Sequence, residues 1–136
     1  MRISEEQDRR RREAETRERL PRSLEDVYRA LAGCIECYRR AFGEESAEIL
    51  ARGSRIEIAV RGDEGAGSER ARLTVILVPE LPGFRIEGHG EPMLIEVGLL
   101  PGDKVYYRAG EQFLTMEELT RRILDRVMFP KLKAEG

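Results

Sequence analysis

The fold class that the sequence predicts is α+β: an antiparallel β-meander of about five strands, with N-terminal helices before it and one C-terminal helix after it. Three observations lead there. Apolar residues from Leu24 to Phe42 recur at three- and four-residue spacing, the mark of one helical face. From Arg55 onward the chain breaks into short runs of alternating apolar and polar residues, separated by glycine and proline. These runs follow one another without intervening helices, which argues against a doubly wound parallel sheet.

Residues 1–22 differ from the rest, with eight arginines, six acids and only Met1, Ile3, Ala14 and Leu20 apolar. Six acids stand four residues before an arginine (Glu5/Arg9, Glu6/Arg10, Asp8/Arg12, Glu13/Arg17, Glu15/Arg19 and Glu18/Arg22), an order that supports a helix. Ser4 and Gln7 resemble a capping box, and Pro21 is a stop signal, so a helix is expected over about 5–19. With no apolar stripe, this charged arm is expected to project or fray. The expected division is therefore an arm over 1–22 and a single α+β domain over 23–136.

Ser23 is the expected cap of a second helix, with Leu24, Val27, Tyr28, Leu31, Cys34, Ile35, Tyr38 and Phe42 on its buried face and Gly43 as its C-cap. A short helical piece is expected over 44–51, closed by Gly53. Ile56, Ile58 and Val60 mark a strand with one buried face. A glycine-rich loop follows over 62–69. The run 73–78 is apolar on both faces and should be central, covered on both sides or buried at an interface. Phe84 and Ile86 point inward in a third strand, Met93, Ile95, Val97 and Leu99 form a fourth, and 104–108 form a fifth after the turn Leu100-Pro101-Gly102-Asp103. The last helix opens on a capping box, Thr115 with Glu118, and a staple, Leu114 with Leu119. Phe129-Pro130 ends it.

The composition narrows the function classes. The 136 residues fit one domain, 37% of them are charged, and the net charge is −2, which argues against a general binder of nucleic acid or anionic membrane. No run approaches the roughly 18 apolar residues of a membrane-spanning helix. The charged first 20 residues lack the apolar core of a signal peptide, and two cysteines three apart cannot build a disulfide framework. A reducing, cytoplasmic setting is expected.

Four constellations could carry chemistry. Cys34-Ile-Glu-Cys37 is a CxxC pair, a pattern that can hold zinc or exchange electrons. Here it lies about ten residues into its helix, away from the N-terminal dipole that lowers a thiol pKa. Zinc needs three or four ligands, and His89 is the one further classical candidate. No cofactor is predicted, and zinc is the metal such a set would take. The bland reading makes Cys34 a small core residue and Cys37 a boundary residue. The second constellation, Glu87-Gly-His89-Gly-Glu91, places three titratable groups on one strand face, but Phe84 and Ile86 claim the inward side, so a solvated loop competes with acid–base or metal chemistry. The third, Arg9, Arg10, Arg11 and Arg12, could grip phosphate, though the interleaved acids leave the arm at only +2. The fourth, the glycines of 62–68, resembles a phosphate cradle but has a strand after it where a cradle needs a helix. Tyr106, beside Tyr107, is a candidate binding surface on the fifth strand.

These readings favour a non-enzymatic protein-interaction or assembly module, adaptor- or chaperone-like, with a protein partner, a homo-oligomer or both. One alternative is a metal-binding or thiol-dependent enzyme using Cys34, Cys37 and His89. Another is a nucleic-acid-associated accessory protein using the N-terminal arginines.

Overall fold

The computed structural model describes residues 2–61, 70–88, 90–102 and 104–128. The segment 62–69, His89, Asp103 and the Phe129-Pro130 stop lie outside the described residues.

A single helix, α1 (Arg2–Phe42), stands where two were expected. It begins at Arg2, so Ser4 lies within it. It runs through Pro21, which has no N–H to give the Arg17 carbonyl and whose ring crowds it. The cost is offset by one unbroken buried stripe: Thr16, Leu20, Ser23, Leu24, Val27, Leu31 and Ile35. The arm is thus anchored through its second half, while its first turns, from Glu5 to Ala14, are exposed. Thr16 is satisfied by donating to the Arg12 carbonyl at 2.7 Å. Ser23 is not a cap: it is buried and hydrogen-bonds the Tyr107 phenol. Gly43 closes the helix as expected, in a left-handed conformation (φ 105°) with its N–H on the Arg39 carbonyl.

Among the described residues seven strands follow, two more than expected: β1 (Ala47–Arg52), β2 (Arg55–Arg61), β3 (Arg70–Val78), β4 (Gly83–Gly88), β5 (Met93–Leu100), β6 (Lys104–Ala109) and β7 (Gln112–Leu114). They form one antiparallel sheet in sequence order. The segment expected as a short helix is largely β1. Its alternation, Ala47 and Ile49 inward against Glu48 and Leu50 outward, is realised by pairing with Val60, Ile58, Ala59 and Glu57 of β2. Gly53 (φ 56°) shapes the two-residue turn between them. β7 turns back from β6 at Gly110 and pairs Leu114 with Tyr107.

The helix α2 (Met116–Met128) opens with the expected capping box: Glu118 N–H donates to Thr115 Oγ1 at 3.1 Å, and Thr115 N–H to Glu118 Oε1 at 3.2 Å. Both staple residues, Leu114 and Leu119, are buried.

Both helices lie on one face of the sheet, which fixes the core. Ile56 pairs with Val75, Val75 with Ile86, and Phe84 with Ile95, all fully buried beneath α1 and α2. Leu119, Ile123, Leu124 and Val127 of α2 close the layer. Among the described residues neither helix packs on the opposite face, apart from the groove that Glu96, Gly98 and Tyr106 share with the first turns of α1. Its residues include Leu50, Glu57, Thr74, Ile76, Arg85, Leu94, Glu96, Tyr106, Arg108 and Phe113. Tyr106 lays its ring over Gly98, where a Cβ would collide with it, and meets Phe113 edge-on at 5.3 Å. Gly83 is required by a closer approach: a Cβ there would strike the Ile95 carbonyl.

Candidate functional site

Cys34 and Cys37 are exposed free thiols on α1. They line a groove of about 700 Å³ between α1 and α2, whose apolar walls include Ala30, Tyr38, Met116 and Leu124 and whose rim carries Arg121 and Asp125. The expectation that Cys34 belongs to the core does not hold: the helix turns its buried stripe through Leu31 and Ile35 and leaves both cysteines toward α2 and solvent. Partial burial, and then the neighbouring Cys37, push the Cys34 thiol above its ordinary value. That favours the protonated thiol, which is neither nucleophile nor metal ligand. Among the described residues, no three His, Cys, Asp or Glu side chains gather as metal ligands. His89 lies outside the described residues. Its neighbour Glu87 occupies the outer face, as expected, and pairs with Arg85 at 2.8 Å; Glu91 is exposed.

The arm and Tyr106 come together. Arg9 and Arg12 line one groove of about 790 Å³ with Tyr106, Glu80 and Glu96. At its inner end Arg17 Nε donates to the Pro79 carbonyl at 3.3 Å. Arg10 and Arg11 do not line this groove. Of the six acid–arginine pairs expected along the arm, none comes within ion-pair distance; Asp8 instead meets Arg11 at 3.8 Å. Such side chains in water gain little from pairing against the rotamer freedom they lose.

The outer sheet face is the surface that the sequence reading did not single out. Leu50, Leu94, Leu100 and Phe113 stand 45–58% exposed there. Around them are seven cations (Arg52, Arg55, Arg61, Arg72, Arg85, Lys104 and Arg108) and four acids (Glu48, Glu57, Glu87 and Glu96) among the described side chains. Arg85/Glu87, Arg108/Glu96 and Arg52/Glu57 form ion pairs across it. Arg55 and Arg72 form none. The face is therefore positive within a chain of net charge −2. A signal was present: Ile76 and Val78, the second apolar side of the run 73–78, lie on this face and are only half-buried.

No helix among the described residues is long and apolar enough to cross a membrane. The chain matches no protein-family model, no curated protein and no solved structure.

Proposed function

We propose that this chain is a non-enzymatic protein-interaction or assembly module that works in the cytoplasm, where its two cysteines stay as thiols. The outer sheet face carries the reading. It sets Leu50, Leu94, Leu100 and Phe113 among excess cations, on the side of the sheet opposite both helices. A partner surface of apolar residues ringed by acids matches it in polarity and charge. The raised Cys34 thiol weighs against the thiol-enzyme alternative, because the groove favours the unreactive form.

Site-specific photo-crosslinking tests this. A photoreactive residue at Leu94 or Phe113 is expected to capture one identified acidic protein, and the same residue at exposed Arg29 of α1 is not. Leu94→Glu should abolish the capture, and Arg55→Glu with Arg72→Glu should weaken it in a salt-dependent way. Equal capture at Arg29, or none at Leu94 and Phe113, overturns the reading.

A second reading has one specific observation behind it. Arg9, Arg10 and Arg12 are exposed and hold no ion pair, so a phosphate backbone would meet unengaged guanidinium groups. Binding to single- or double-stranded nucleic acid that falls steeply with salt, and is lost on replacing these three arginines by glutamine, would support it.

A further inference from the structure

We propose that the free edge of β1 pairs with the β1 of a second copy, antiparallel and about a two-fold axis through Leu50, so that two sheets join into one continuous sheet. The proposal rests on the interaction-module reading and names one partner for it: the chain itself.

Arg61 N–H donates to the Ser46 carbonyl at 2.8 Å, so Ser46 and Arg61 form a bonded pair. Bonded and non-bonded pairs alternate along an antiparallel ladder, so Glu48, Leu50 and Arg52 also turn their backbone groups toward β2. On the other side of β2, Leu77 N–H donates to the Ser54 carbonyl at 2.8 Å, which puts the even-numbered residues of β2 toward β3 and the odd-numbered ones toward β1. Both ladders give the same answer. The N–H and C=O groups of Ala47, Ile49 and Ala51 point away from the sheet. β1 is the first strand of the sheet order, so among the described residues these groups face an open edge. Most of the strand is exposed. An open edge of this length recruits another strand unless something blocks it. Proline and lysine, the usual blockers, are absent from β1.

Charge then selects the register. A two-fold axis through Leu50 sets Ile49 opposite Ala51 of the second copy and Ala51 opposite its Ile49, two narrow pairs that each exchange two hydrogen bonds. The same axis sets Leu50 against Leu50 and Glu48 against Arg52 on the outer face, so both cross-strand charge contacts are attractive. Moving the axis to Glu48 or Arg52 would set like charges face to face. Moving it to Ile49 would oppose Glu48 to Leu50 and forfeit both charge contacts. Only the Leu50 register satisfies backbone, apolar and charged groups together. It also covers Leu50, which is 46% exposed in the single chain.

Two measurements on the full chain test this. Sedimentation equilibrium is expected to give a dimer, twice the 15.6 kDa chain mass. Ala51→Pro removes an outward N–H that the β1–β2 ladder does not use, so it should keep the fold by circular dichroism and give a monomer. Arg52→Glu should weaken the dimer about tenfold, from the sum of two cross-strand charge contacts reversed, and Glu48→Arg in the same chain should restore it. For register, Leu50→Cys in a Cys34→Ser/Cys37→Ser background should oxidise to a covalent dimer, and Leu94→Cys in that background should not. A wild-type monomer at high micromolar concentration overturns the proposal, as does a dimer that Ala51→Pro leaves intact or a Leu50→Cys variant that fails to crosslink. These outcomes are separable from the docking-face reading. A monomer that still captures a partner at Leu94 overturns only the edge pairing, and a dimer with no capture at Leu94 overturns only the docking face.

Discussion

Leu20→Ala tests whether the charged arm is part of the folded body. Leu20 is the one large apolar residue between Met1 and Pro21 apart from Ile3, and it is fully buried. A frayed arm would make this substitution silent. The docked arm makes it costly. Replacing leucine by alanine removes three carbons from an apolar site, about 2.4 kcal/mol of transfer free energy at about 0.8 kcal/mol per methylene. The cavity left between α1 and the sheet raises this to about 3–4 kcal/mol, within the usual range for a buried leucine. For a chain of this size that is a fall in melting temperature of about 10 °C. Urea denaturation followed by circular dichroism measures it, with the midpoint expected to fall and the slope to stay constant. Glu6→Ala, on the exposed first turns, serves as the control and should shift stability by less than about 0.5 kcal/mol. A Leu20→Ala loss below about 0.5 kcal/mol would refute the docking and return the arm to solvent.

Three further outcomes follow from the same geometry. Pro21→Ala should raise stability by about 1–2 kcal/mol in the same urea assay, because it restores a donor to the Arg17 carbonyl and removes the ring clash inside α1; a loss would mean that the helix needs its break. Tyr107 is held above its ordinary pKa by burial and then by the Asp26 carboxylate, with the Ser23 hydrogen bond pulling the other way. The folded state therefore keeps the phenol proton longer than the unfolded state. This contribution is fully present below about pH 10, the ordinary tyrosine value, and is lost as pH rises through the higher native value. Stability should decline above pH 10 less steeply in Tyr107→Phe than in the native sequence, as read by urea midpoints from pH 8 to 11; parallel profiles would remove Tyr107 from the account. The raised Cys34 thiol should alkylate with iodoacetamide at pH 8 several-fold more slowly in the folded chain than in urea, as measured by peptide mass spectrometry; a faster folded reaction would revive the nucleophile reading.

What was legible in the sequence was what is decided locally. The Thr115/Glu118 capping box reads from four residues and forms as read, because both hydrogen bonds close within one turn. The inward alternation of Phe84, Ile86, Ile95 and Val97 was legible because one face of each strand meets the helices. Misreadings occurred where distant pairing decided the outcome. The segment 44–51 is rich in helix-forming residues, yet pairing with β2 makes most of it a strand, since local propensity is a weak prior against a full ladder. β7 has only three residues, too few to show a period. Pro21 was read as a stop because its local cost is real; what carries the helix across it is burial of Leu20, Ser23 and Leu24, which only the tertiary structure reveals. The candidate residues divide the same way. Cys34 and Cys37 were visible as a motif, but their environment depends on where α2 lies. Arg9 and Arg12 were visible as a cluster, but their shared groove with Tyr106 depends on where the first turns of α1 pass β5.

The outer face and the β1 edge answer one physical question in two places: what becomes of a sheet that, among the described residues, is packed by helices on one side. A sheet with one solvated face normally makes that face polar. Here the charges are present but largely paired with one another, as Arg85/Glu87, Arg108/Glu96 and Arg52/Glu57, and such pairs leave Leu94 and Phe113 uncovered between them. Mutually paired charges are cheaper to bring against a partner than free ones, because each already has its counter-ion when water leaves. Arg55 and Arg72, which have none, then supply the net attraction for an acidic surface. Edge pairing at Leu50 sets two such faces side by side in one continuous sheet, doubling both the apolar area and the positive field. A partner with two acidic sites would gain an effective concentration that the single chain cannot offer. The two proposals divide the roles: β1 would set the stoichiometry, while Leu94, Phe113 and the free arginines would set the choice of partner.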